Sequence, residues 1–295
     1  MDGKPAGMTA NVPHGTIKFS RKEELCVAKI VAIANQKGGV GKTTTAVNLS
    51  SCVAALGKRV LIVDLDPQGN TTTGFGVKKK TLRYSAYDVI SGKVKIQDAI
   101  LRTEFENVSL LPAKNDLAGG EIELIQEENR TSRLKMQLLT CKLDYDYILI
   151  DCPPALGLLT LNGLTAADKL IVPMLAEFYA MEGLSQLTST IKIVRNNFNP
   201  SLEIAGILFV MFDQRLNLSK QVEEEVEKFF PGKVFQTKIP RNVRLSEAPS
   251  HGKPVMYYDP SSKGAEAYAM LGMELLGETP EPKKEKKRLL FGRRK

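Results

Sequence analysis

The segment Asn35-Gln-Lys-Gly-Gly-Val-Gly-Lys-Thr-Thr-Thr constrains this chain more than any other. It follows directly on the apolar run Ile30–Ala34 and opens into a stretch of helical period, Thr43–Leu56, that closes on Gly57. A strand that breaks into a glycine-rich turn and reopens as a helix aims successive backbone N–H groups at one point. The helix dipole adds positive potential there, so the turn is a nest for an anion. Gly38, Gly39 and Gly41 let the backbone curl round a phosphate with no Cβ in the way. Lys42 is then placed to reach β- and γ-phosphates, and the Thr43 hydroxyl to ligate Mg2+. A purely structural glycine turn is the lesser reading, given the strand and helix on either side.

The rest of the chain supplies a frame for such a loop. Apolar runs of strand length recur at Val60–Leu65, Val108–Leu111, Tyr147–Ile150, Leu170–Met174 and Ile204–Phe212. They are nearly continuous in Val, Ile and Leu, as expected of strands buried on both faces of a parallel sheet. Between them lie helical stretches at Asp116–Thr140, Leu158–Ala167, Glu182–Asn196 and Leu218–Phe230, with a last one at Gly264–Leu276 before Gly277. This alternation predicts an α/β fold, a doubly wound and mostly parallel sheet with helices on both faces and right-handed crossovers. The domain is expected over 27–278, between an N-terminal extension, 1–26, expected to be flexible, and a basic tail, 279–295.

Two carboxylate segments fit the phosphate loop. Val60-Leu-Ile-Val-Asp64-Leu-Asp66 ends a strand in two acids, at the edge of a doubly wound sheet where ligands bind. A carboxylate there can position an attacking water, because phosphoryl transfer depends mainly on alignment and charge neutralisation. Tyr147-Ile-Leu-Ile-Asp151-Cys-Pro-Pro is a hydrophobic strand ending in an acid, a Walker B pattern able to hold Mg2+. Strands often end in Asp for turn reasons alone. The order of the three segments, rather than any one, carries the reading.

The loop departs from the usual G-x-x-x-x-G-K-[ST] pattern, since Gln36 stands at its first glycine. Lys37-Gly-Gly-Val-Gly-Lys-Thr resembles instead the deviant Walker A loop of the ParA/MinD-type ATPases. Over about 27–276 the chain is similar to the chromosomal ParA (Soj) branch. The signatures are the phosphate loop, Asp64-Leu-Asp-Pro-Gln-Gly-Asn, Asp151-Cys-Pro-Pro and Ile239-Pro-Arg-Asn-Val-Arg-Leu-Ser-Glu-Ala-Pro-Ser-His-Gly-Lys-Pro. The resemblance implies a P-loop ATP hydrolase with ATP and Mg2+, in which Lys37, Lys42 and Asp66 are catalytic. Lys37 would reach across a dimer to the partner's nucleotide, and Asp64 would support Asp66. Lys37, Gly38, Gly39, Val40, Gly41, Lys42, Thr43 and Thr44 would hold phosphates, Thr43 and Asp151 the metal. Met211, Asp213, Pro240 and Asn242 would lie near the adenine, and no Asn-Lys-x-Asp guanine-reading motif competes with that assignment. The implied function is segregation of a chromosome or plasmid. The protein would form a homodimer on ATP, bind DNA without sequence preference, and be stimulated by a ParB-type centromere-binding partner.

Charge sharpens the question of partners. The chain has 41 Lys and Arg against 33 Asp and Glu, a net charge of +8. The tail alone, 279–295, holds eight basic and two acidic residues, so the body is nearly neutral and its DNA contacts must be local clusters. Arg215, Lys220, Arg241, Arg244 and Lys253 are the candidates. Arg241 and Arg244 would share a face if their segment is helical, and Arg244 is the strongest by motif. For any single lysine, plain solvated surface is the favoured reading. The tail segment Lys286-Lys-Arg-Leu-Leu-Phe-Gly-Arg-Arg-Lys is similar to the membrane-targeting end of MinD proteins, which leaves a MinD-like positioning ATPase as the alternative. Leu289, Leu290 and Phe291 are consecutive and fan round a helix instead of forming a stripe, so DNA contact or simple solubilisation is favoured over membrane. No apolar run approaches the roughly 18 residues that span a bilayer, and the first 26 residues lack a secretory pattern. Four dispersed cysteines and two histidines argue against disulfides or a zinc site. A cytoplasmic, nucleoid-associated protein is expected.

Overall fold

The computed structural model describes residues 27–177 and 180–278. The expected extension and tail lie outside these. Eight strands form one sheet: β1 Lys29–Ile33, β2 Val60–Asp64, β3 Leu101–Arg102, β4 Val108–Leu111, β5 Tyr147–Asp151, β6 Lys169–Met174, β7 Glu203–Phe212 and β8 Ile239–Pro240. Their spatial order is β3-β4-β2-β5-β1-β6-β7-β8, and every pairing is parallel except β3 with β4. All six strands expected from the apolar runs are present. The two missed, β3 and β8, have two residues each, too short for periodicity to register.

The strands are buried on both faces because helices cover both. Alternate residues divide between two cores: Ile30, Ala32, Leu61 and Val63 face one, Val31, Ile33, Val60 and Ile62 the other. The second core packs under helix Lys42–Ala55, which is itself sandwiched by the helix Lys263–Leu276. That outer helix shows how sequence sets its ends. Ser262 accepts the Ala265 N–H at its start, and Gly277, at φ 73°, closes it while the Glu278 N–H bonds back to the Met273 carbonyl.

One expected helix is corrected. Asp116–Thr140 is two helices, Asp116–Leu124 and Arg133–Leu139, not one. Asn129 breaks the run with φ 55°, and Asn162 from a neighbouring helix captures the turn: its amide donates to the Arg130 carbonyl at 2.7 Å and its Oδ1 accepts the Leu134 N–H at 3.1 Å. A tertiary hydrogen bond, invisible to local period, decides the boundary.

Register brings the chemistry together. In the ladder, Asp151 at the end of β5 stands level with Ile33 of β1 and with Asp64 of β2. The phosphate loop leaves β1 at this same edge.

Candidate active site

Gly39 and Gly41 adopt φ values of 73° and 75°, left-handed conformations that a side chain would strain, and Gly41 is the residue from which helix Lys42–Ala55 starts. Asn35 braces the loop: its Oδ1 accepts the Lys37 N–H at 3.0 Å while its amide donates to the Pro173 carbonyl at 2.7 Å. Lys42 folds back so that its ammonium donates to the Lys37 carbonyl at 3.0 Å. Burial pushes the Lys42 ammonium below its usual range, against the opposing pull of Asp151 and Asp66. A cation held there without a full complement of anions is suited to phosphate.

Asp151 is fully buried. Its Oδ2 accepts from the hydroxyls of Thr43 and Thr71, each at 2.8 Å, whereas its Oδ1 has no hydrogen-bond partner. Asp64 is equally buried and holds the Thr72 N–H at 2.8 Å and hydroxyl at 2.7 Å on one oxygen, with the Asp66 N–H on the other at 3.2 Å. Burial, with the charge of Asp151 added, pushes the Asp64 carboxyl upward; burial does the same to Asp151. Two carboxylates raised by desolvation, one with an orphaned oxygen beside a threonine hydroxyl, are a donor set that a hard divalent cation satisfies. Among the described residues no three His, Cys, Asp or Glu side chains gather as a metal cage. Mg2+ binds through one or two protein oxygens and completes its shell with water and substrate phosphate, and the Thr43 hydroxyl and Asp151 carboxylate offer such oxygens. Asp66 is 9% exposed, and its Oδ1 accepts the Gln68 N–H at 2.9 Å, so the carboxylate is held at the rim of the site.

Beside the loop opens a cleft of about 260 Å3 whose walls include Gly41, Thr44, Met211, Pro240 and Asn242. Met211 has φ 50°, where the register of β7 against β8 slips between Val210 and Phe212. This irregularity turns the Met211 side chain, 42% exposed, onto the cleft. Asp213 is not among the lining residues; both its oxygens are engaged by Arg215, at 2.9 and 2.7 Å. A wider concavity, about 1410 Å3, lies elsewhere, along helix Asn217–Phe229, and its charges are partly neutralised by ion pairs such as Lys238 with Glu223.

Comparison with known proteins bears on this geometry. The family model described as an AAA domain matches residues 28–204. The sporulation initiation inhibitor protein Soj of Bacillus subtilis is 54% identical over 249 residues, 84% of this chain and 98% of its own length. The chromosome partitioning protein ParA of Myxococcus xanthus is 47% identical over 280 residues, 94% of this chain and 99% of its own. The chain belongs to the ParA/Soj family of partitioning ATPases. The same nucleotide frame is seen in the crystal structure of cobyrinic acid a,c-diamide synthase from Mycobacterium smegmatis with bound ATP analogue and magnesium. That structure is 39% identical, has a TM-score of 0.77, and covers 85% of this chain and 94% of the solved one. This ParA/Soj ATPase accordingly uses ATP and Mg2+, and the loop, Asp151 and Thr43 fit them.

The remaining expected residues of the ParA/Soj chain are dispersed. Lys37 is 44% exposed on the loop rim and pairs with Glu177 at 2.6 Å. Helix Val243–Glu247 begins after Asn242, whose side chain accepts the Arg244 N–H, so Arg241 lies outside it and shares no helical face with Arg244. Arg244 is tied to Glu247 at 2.7 Å and Asp259 at 3.1 Å, and Arg215 to Asp213. Lys220, Arg241 and Lys253 are exposed and have no acidic partner among the described residues. Sequence reading missed Thr71 and Thr72, which hold Asp151 and Asp64. Their signal was present in the hydroxyl run Thr71-Thr-Thr directly after the acidic segment. Glu177 had no such signal.

Proposed function

We propose that residues 27–278 are the working domain of a DNA-segregation ATPase. Two ATP-bound copies associate, the dimer grips DNA through its phosphates, and a ParB-type partner triggers hydrolysis and release. The orphaned oxygen of Asp151, whose other oxygen holds the Thr43 hydroxyl, is the observation that carries the nucleotide chemistry. Thr43 and Asp151 would hold Mg2+, which when bound would supply Lewis-acid neutralisation of the phosphate charge. The loop N–H groups and Lys42 would hold the β- and γ-phosphates, and Asp66 would orient the water that attacks the terminal phosphorus and accept its proton.

The pair of Lys37 with Glu177 is compatible with a role across a dimer. An exposed ion pair is worth only about 0–1 kcal/mol, so exchanging Glu177 for a partner's phosphate costs little. Arg241 and Lys253, which form no ion pair among the described residues, support phosphate contact without base readout, while Lys220 shares its helix with Glu223 and Glu224. The name of the Myxococcus relative supports partitioning as the cellular role, and a cytoplasmic, nucleoid-associated location follows from that proposal. Among the described residues no helix is long and apolar enough to cross a membrane. Amide-transfer chemistry, suggested by the name of the Mycobacterium protein, finds no activated thiol among the described residues. Cys52, Cys141 and Cys152 are buried, and burial pushes each thiol up, Cys52 to about 12 and Cys141 to about 11.

The reading is tested by binding to two unrelated duplexes with ATP or ADP across a salt series. Binding should require ATP, be equal for both duplexes and fall steeply with salt, because counterion release drives it. Binding indifferent to nucleotide, or a sequence preference that survives high salt, would overturn it.

A further inference from the structure

Between Asp66 and Asp88 the chain has no acid, yet it carries Lys78, Lys79, Lys80 and Arg83. Lys79–Thr81 form a short 3-10 turn, and Lys78, Lys80 and Arg83 are exposed. None of the four has an acidic partner among the described residues, in contrast to Arg215 and Arg244.

The turn is not isolated. Gly76 and Gly252, with φ 74° and 62°, meet backbone to backbone: a Cβ on Gly252 would lie 2.5 Å from the Gly76 Cα, and one on Gly76 would lie 3.1 Å from the Gly252 carbonyl oxygen. Only glycines allow so close an approach. It brings the backbone next to Lys253, which is exposed and forms no ion pair among the described residues, against the backbone two residues from Lys78.

Lys79 turns inward instead. Its ammonium donates to the Gln68 carbonyl at 2.6 Å, and its side chain packs where a Cβ on Gly69 would be, 2.8 Å from Lys79 Cδ. Gln68 in turn donates its N–H to Asp66 Oδ1 at 2.9 Å. One turn therefore presents cations outward and braces the catalytic loop inward.

We propose that Lys78 and Lys80, with Lys253 across the Gly76–Gly252 contact, form a phosphate-contact surface for duplex DNA, joined through Lys79 to the loop that carries Asp66. Compact unpaired cations without hydrogen-bonding side chains aimed at base edges suit the sugar-phosphate backbone. The proposal rests on the DNA-binding reading above.

The test uses the full chain with ATP and Mg2+ and a random-sequence duplex over a salt series. Lys78→Glu/Lys80→Glu should weaken binding more than about tenfold and flatten the slope of log K against log salt by about 2, since each lost phosphate contact removes ~0.9. Lys95→Glu/Lys192→Glu, the same charge change at exposed sites elsewhere, should bind as the parent does. If the parent binds and the first variant matches it in affinity and slope, this surface is wrong while the broader reading stands. If the parent itself fails to bind DNA in ATP, the broader reading fails. Loss of ATP-dependent dimerisation in the first variant, seen by size exclusion, would make the turn a subunit contact and overturn the proposal. So would a loss confined to stimulation by a ParB-type partner, which would make it a protein contact.

Discussion

The two oxygens of Asp151 are treated differently by the fold, and the difference locates the chemistry. One is saturated by Thr43 and Thr71; the other, equally buried, has nothing. Leaving a buried acceptor unmade costs about 1–3 kcal/mol, a cost that persists only where a ligand removes it. Asp66 keeps 9% of its surface exposed, whereas Asp64 and Asp151 keep none. Asp66→Ala should therefore lower phosphate release by about 100-fold or more, while ATP and Mg2+ still bind through Lys42, Thr43 and Asp151. The ATP-bound dimer should then accumulate on size exclusion. Undiminished phosphate release would move the role to Asp64. At this scale the phosphate loop and its three acids were legible because glycine and charge are local signals. Glu177 was not, since it meets Lys37 only after β6 has been laid beside β1.

Elements carry the next constraint, which is how closely they pack. In helix Leu158–Ala166, Gly163 faces the end of β5: a Cβ there would lie 2.8 Å from Cys152 Sγ and 3.4 Å from Ile150 Cγ2. Cys152 follows Asp151, so the helix seats the strand end that carries the orphaned oxygen. Gly163→Ala should overpack this contact and destabilise the protein by about 1–3 kcal/mol, read as a lowered melting temperature. Because Sγ is the nearest atom, Gly163→Ala/Cys152→Ala should recover most of that loss. A double variant no more stable than Gly163→Ala would show that the backbone, not the thiol, sets the limit. The short helices Asn70–Gly74, Ala86–Ile90, Ile96–Ala99, Val243–Glu247 and Val255–Tyr258 are too brief to show a period, whereas the six strands and the long helical stretches read from the sequence lie within a residue or two at each end. The exception, 116–140, reads as one helix by period, and only the amide of Asn162, reaching in from another helix, divides it. The minimal strand β8 was hidden for a similar reason: it exists because β7 offers it an edge.

Over the whole molecule the charge is unevenly placed. Residues 27–278 are nearly neutral, with 29 basic and 28 acidic residues, while 279–295 carries a net +6. The ordered helix before it is finished by Gly277, and every residue of the phosphate loop, the carboxylates and the cleft precedes that point. Truncation after Glu278 should therefore leave nucleotide binding and ATP hydrolysis without DNA near the parent's level. DNA binding should respond differently. Tail cations act on phosphate through solvent over a Debye length of ~8 Å at physiological ionic strength, adding to the affinity set by the body's own contacts. Their removal should weaken binding several-fold and flatten its salt dependence, equally for any duplex sequence. If the tail served a lipid surface instead, DNA affinity would barely move, and the intact chain would float with anionic liposomes in ATP while the truncated one would not. Leu289, Leu290 and Phe291 are consecutive in sequence, a pattern that gives no helical apolar stripe, and a single weak anchor binds marginally. The comparison of flotation with duplex affinity, made on the same two proteins, separates a nucleic-acid tail from a membrane tail.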